Sequence, residues 1–144
     1  MTRVRLSLPK QFQFSTEIPV RITDINYGGH LGNDSVLSLL HEARVRFLKE
    51  HGFNEGDIDG PGLLIIDSTI VYKSQAFHGD ILQIDISVSD LERHGCSFTY
   101  RIVQKVTGKE VARAKTGMVF YDYKRRKIAS IPERFRKAFE TSQT

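Results

Sequence analysis

The sequence predicts an α+β fold: an antiparallel five-stranded sheet wrapped around one long central helix. Three observations carry this. A single stretch, Asp34 to His51, repeats apolar residues at helical spacing over a broad face. Most of the chain beyond His51 alternates apolar and polar residues with period two, as strands covered on one side do. The chain has 144 residues, the size of one domain with one core, so 1–144 reads as a single domain. A sheet with one apolar face needs a cover, and the helix lying inside its curl supplies it.

The chain opens with MTRVRLSLPKQFQF, which lacks the apolar run of a secretory signal. Residues 14–23 read as a first strand, and Pro19 places that strand at an edge or a bulge. Residues 24–33, DINYGGHLGN, form a loop with three glycines. In the helix, Val36, Leu40, Ala43 and Phe47 share a face flanked by Leu37, Leu39 and Leu48. Asn33, Asp34 or Ser35 can cap its start, and Gly52 ends it. Residues 63–73 begin apolar on both faces, as a central strand does. Leu82, Ile84, Ile86 and Val88 face one way in the next strand; Phe98, Tyr100 and Ile102, then Ala112, Ala114, Met118 and Phe120, continue the pattern. His94-Gly95 and Thr107-Gly108-Lys109 mark hairpin turns, and residues 131–140 read as a terminal helix.

Composition excludes several classes. No apolar run reaches the roughly 18 residues of a membrane span. The net charge is +4, but the basic residues are scattered apart from Lys124-Arg125-Arg126-Lys127, and no nucleic-acid motif accompanies that run. The one cysteine, Cys96, cannot form an internal disulfide, which fits a cytoplasmic location. No His/Cys/Asp cluster has metal-ligand spacing, so neither metal nor other cofactor is expected.

The segment VRITDINYGGHLGNDSVLSLLHEAR resembles the signature of the hotdog-fold thioesterases related to hydroxybenzoyl-CoA thioesterase. That signature reads Arg-x-x-Asp-x-Asp-x-x-Gly-His-Val-Asn-Asn and then a helix with Glu-Ala-Arg. Arg21, Asp24, Gly29, His30, Asn33, Glu42, Ala43 and Arg44 fall in register with it. Gly79-Asp80 and Ile131-Pro132-Glu133 are similar too. The resemblance implies hydrolysis of an acyl-CoA or acyl-carrier thioester, and a homodimer or homotetramer pairing exposed strand edges across a two-fold axis. One departure stands out. Where many members carry the catalytic carboxylate, this chain has Asn26, and an amide is neither nucleophile nor base.

The remaining candidates sit around that gap. Hydrolysis needs an activated water and a stabilised oxyanion. Backbone N–H groups around Gly32–Asp34, at the positive end of the helix, suit the oxyanion, although the glycines can also serve only to turn the chain. For water activation the candidates are Asp24, His30, Asp34 and Glu42, with Asn33 orienting water or the carbonyl. A histidine accepts protons near neutral pH. Asp34 either replaces the carboxylate missing at Asn26 or caps the helix. Arg44 falls on the apolar side of the helix and needs a partner, for which Asp24 is the natural choice, making that pair scaffold. Glu42 projects away from the apolar stripe, toward a neighbouring subunit or solvent. Lys73, His78, Arg93, Lys124 and Arg125 are candidates for coenzyme A phosphates. Asn26, Gly32 and Glu42 complete the expected substrate-contacting set.

Two other readings compete. Hydratases of the same fold carry Asp-x-Asn-Pro-x-His; Asp24-Ile25-Asn26 with His30 is a near miss, lacking the proline and placing the histidine one residue late. A non-catalytic acyl-CoA binder would explain Asn26, since fold alone does not fix chemistry.

Overall fold

The computed structural model describes residues 3–140. Its elements run β1 (Phe14–Pro19), a 3-10 turn (Ile22–Asp24), α1 (Asn33–Glu50), β2 (Gly62–Tyr72), β3 (Ile81–Ser89), β4 (Gly95–Gln104), β5 (Glu110–Asp122), β6 (Lys127–Ile128) and α2 (Glu133–Glu140). The sheet is antiparallel in the order β1-β3-β4-β5-β2, with β6 beside the end of β5. This is the expected α+β hotdog arrangement with one short strand more: Lys124–Arg126 of the basic run form the turn that folds β6, beginning at Lys127, back onto β5.

Helix α1 forms because its apolar positions lie on one side. Val36, Leu39, Leu40, Ala43, Phe47 and Leu48 are buried against the concave face of the sheet, where Leu82, Ile84, Ile86, Val88, Phe98, Tyr100, Ile102, Ala112, Ala114, Met118 and Phe120 meet them. Leu37, expected to widen that stripe, is 42% exposed. The helix stops as Gly52 predicts. Gly52 takes φ +77°, its N–H donates to Lys49 O at 2.9 Å, and Phe53 N–H donates to Leu48 O at 2.8 Å, the paired bonds of a Schellman end. The start differs from expectation. Gly32 is the N-cap, and no side chain, Asp34 included, caps the helix. Around its far end, Phe47 and Phe53 pack with Phe135 and Phe139 of α2.

Two sequence readings are corrected. Strand β2 is an edge strand, not a central one. Its doubly apolar start leaves Leu64, Ile65 and Ile66 at 38%, 39% and 60% exposure. The period-two rule sees two apolar faces but not whether a neighbouring strand or another chain covers the second. Arg44 is buried as expected, but its partner is not Asp24. Arg44 Nε donates to Glu55 Oε1 at 2.8 Å and Nη1 to the Tyr100 hydroxyl at 3.1 Å, and Tyr100 pairs with Thr116 at 2.8 Å. Glu55 also meets His41 Nε2 at 3.0 Å. Asp24 turns back inside the 3-10 turn instead, accepting from Arg21 N–H at 2.8 Å and from its guanidinium at 3.2 and 3.3 Å. Glu55, on the loop after α1, arrives over the buried side of the helix; Asp24 is held back by its own turn.

Cys96 is an ordinary strand residue, 6% exposed. Burial, reinforced by Asp90, pushes its thiol up to about 12. A thiol has no nucleophilic character until it ionises. The native protein at pH 8 is expected to react with a thiol dye at least about 100-fold more slowly than the denatured chain; equal rates would show that β4 opens readily.

Candidate active site

The loop before α1 is built to present groups at one end of the sheet. It closes as a small hairpin: Ile25 bridges Leu31, and Asn26 N–H donates to His30 O at 2.9 Å. Asn26 Oδ1 accepts Gly28 N–H at 2.9 Å, which holds the turn. Leu31 N–H donates to Ala76 O at 2.8 Å, docking the hairpin onto the segment that links β2 to β3. That segment, with the end of β2 and the start of α1, encloses a cavity of about 270 Å³ lined by His30, Asn33, Val36, Tyr72, Lys73 and Ala76 among others.

Inside this arrangement His30 has a defined tautomer. Its Nδ1 lies 3.1 Å from Leu31 O. A carbonyl only accepts, so Nδ1 carries the proton and Nε2 presents a lone pair. A methyl group on Gly28 would lie 3.4 Å from His30 Nε2 and 3.3 Å from Asn26 Oδ1. The bare glycine keeps the space between these two side chains open.

The helix start supplies hydrogen-bond donors. Gly32 N–H is engaged by Asp24 O at 2.9 Å and leaves the expected oxyanion set. The N–H groups of Asn33 and Asp34, on the first turn of α1, have no acceptor among the described residues. Asn33 also receives the Tyr72 hydroxyl on its carbonyl at 3.4 Å, tying β2 to the helix start. Asp34 is exposed and its Oδ1 lies over the bare Cα of Gly32. It does not line the cavity.

The structure thus brings together His30, Asn33 and Lys73, with Asn26, Gly32 and Asp34 adjoining. His78 is exposed in the β2–β3 segment, at the same end but outside the cavity. Asp24 is 4% exposed and occupied by Arg21, which makes it a brace of the loop. Glu42 is apart: it pairs with Arg46 at 2.7 Å in a separate groove between β1 and α1. Arg93, Lys124 and Arg125 lie near the other end of the sheet, beside the start of β4 and the end of β5. Roughly 30–40 Å of strand separates them from the cavity, at ~3.3 Å per residue. They cannot join it within one chain. Tyr72 and Ser74, which also line the cavity, carry no sequence signal that marks them; a tyrosine ending a strand is commonplace.

Comparison with known proteins decides the family. The pattern described as the Thioesterase-like superfamily matches residues 20–139. The chain belongs to that superfamily. Thioester hydrolysis is the activity this membership assigns. The 1,4-dihydroxy-2-naphthoyl-CoA thioesterase of Synechocystis is 25% identical and superposes with a TM-score of 0.80, over 87% of this chain and 93% of its own. A gentisyl-coenzyme A thioesterase is 20% identical with a TM-score of 0.78, over 88% and 99%, and shows the shared fold. A curated relative from Aquifex aeolicus (strain VF5) is 24% identical over 116 residues, 79% of this chain and 88% of its own length. No helix among the described residues is long and apolar enough to cross a membrane.

Proposed function

We propose that this thioesterase hydrolyses an acyl-CoA at the start of α1, with His30 as general base in place of a carboxylate at position 26. The observation that carries the mechanism is the fixed tautomer of His30, whose Nε2 lone pair opens on the space kept by Gly28. The thioester carbonyl accepts from the N–H groups of Asn33 and Asp34 at the helix start. His30 Nε2 takes a proton from water as the water oxygen attacks the carbonyl carbon. The tetrahedral intermediate collapses, the C–S bond breaks, and the thiolate leaves with the proton that His30 held. Asp34, beside this helix start, is the carboxylate of the site and orients the attacking water for His30. Coenzyme A is the carrier that the two solved relatives' substrates share by name.

A thiol-release screen over short, long and aromatic acyl-CoA esters tests this. Release from at least one class is expected. Binding without release would make the protein a binder, and loss of the conjugated absorbance of crotonyl-CoA without release would make it a hydratase.

The working unit of this proposal is a homodimer or a larger even oligomer, in the cytoplasm. Strand β2 offers a free edge whose Leu64, Ile65 and Ile66 are exposed, and such edges invite pairing. A second copy on that edge would also carry its own Arg93, Lys124 and Arg125 toward the cavity, residues that cannot reach it within one chain. Sedimentation at micromolar concentration is expected to give an even oligomer, and a monomer would remove the shared site from the proposal.

A further inference from the structure

The cavity holding His30 is small, and a second groove of about 1010 Å³ adjoins it. Tyr72 and Lys73 line both. The far wall of the groove is the segment before β1. This segment crosses the convex face of the sheet and is pinned at several points. Gln13 Oε1 accepts Val88 N–H at 3.0 Å, the Arg101 guanidinium lies 5.0 Å from the centre of the Phe12 ring, and Arg113 Nη1 donates to Leu6 O at 2.9 Å. The last of these holds Arg3 and Arg5 beside the edge strand, where both line the groove and both are exposed.

The charge of the groove is one-sided. Arg113 is neutralised by Glu110 at 2.7 Å. Among the described residues, Arg3, Arg5 and Lys73 pair with no carboxylate, and none lines the groove. Three cations that no described carboxylate meets, two of them guanidiniums, suit a ligand with several phosphate oxygens. The volume lies at the upper end of roughly 300–1,000 Å³ for small-molecule sites. An acyl chain needs no such charge; the carrier does.

We infer that the N-terminal segment forms the phosphate-binding arm of the carrier site: Arg3, Arg5 and Lys73 hold the nucleotide phosphates of coenzyme A, and the pantetheine arm passes Tyr72 to bring the thioester to His30. The inference rests on the acyl-CoA reading above for its substrate and differs from the sequence expectation in its residues, replacing Arg93, Lys124 and Arg125 within the chain. It also favours a free coenzyme A ester over one mounted on a carrier protein, which has a single phosphodiester to offer.

The experiment compares wild type with the Arg3→Ala/Arg5→Ala double variant on two substrates with one acyl group: the coenzyme A ester and the N-acetylcysteamine thioester, which has no phosphate. The ratio of kcat/KM for the first over the second is expected to fall about 10-fold or more in the variant, through KM, and less so as salt rises. Calorimetry with free coenzyme A is expected to show weaker binding by a similar factor. An unchanged ratio with unchanged coenzyme A binding overturns the inference, as does a wild type that binds no coenzyme A. If wild type binds coenzyme A and the variant binds it less, yet neither substrate is cleaved, the arm stands and the hydrolase reading falls.

Discussion

Replacing Arg44 with alanine is expected to cost about 3–5 kcal/mol of stability, the range for removing one partner of a buried ion pair. Its side chain is 4% exposed and that of Glu55 17%. Burial works against the Arg44 charge, yet Tyr100 and Glu55 outweigh it and hold the guanidinium above its usual value. The same burial holds the Tyr100 phenol above its usual range. Removing the arginine strands Glu55 beside His41 and leaves Tyr100 and Thr116 facing a void. Chemical denaturation reads the loss directly. A double-mutant cycle of Arg44→Ala with Glu55→Ala separates the pair from the packing, and a coupling of at least about 1 kcal/mol is expected for residues in direct contact. A variant that melts like wild type but has lost turnover would show that Arg44 serves chemistry.

His30→Ala is expected to lower kcat on an acyl-CoA by about 100-fold or more, the scale of a positioned general base. Stability should hardly change. His30 is partly exposed, and the one hydrogen bond of its side chain among the described residues is the 3.1 Å bond to Leu31 O in its own loop. Asp34→Asn is expected to lower kcat to a similar degree, again without loss of stability, because Asp34 caps nothing. Equal activity in wild type and His30→Ala would remove the base from the mechanism.

Much of the fold was legible because periodicity reports what one chain buries. The helix stripe from Val36 to Phe47 and the inward residues of β3, β4 and β5 all became core. Pro19 correctly marked β1 as an edge. What failed has a common physical origin, in that spacing along a chain does not say which loop arrives over a buried charge. Arg44 announced a partner, but Glu55, eleven positions on, looked like any loop carboxylate. The exposed Leu64–Ile66 stretch failed in the same way, since its apolar character concerns a surface that one chain does not cover. In the candidate site, the signature fixes the register of His30 and Asn33, and both line one cavity. The shared groove of Tyr72 and Arg3 was not legible, because it arises only when β2 and the N-terminal segment are laid side by side.

The central claim is that His30 and the start of α1 hydrolyse a thioester without a carboxylate at position 26. Thiol release by Asn26→Asp, measured beside wild type and Asp34→Asn on one acyl-CoA, tests it most directly. An aspartate there keeps the bond to Gly28 N–H and sets a negative charge near His30 Nε2. That charge, added to the one on Asp34, opposes the negative charge that develops on the carbonyl oxygen. Asn26→Asp is therefore expected to turn over no faster than wild type. A strong rise in turnover for Asn26→Asp, with Asp34→Asn silent, would contradict it.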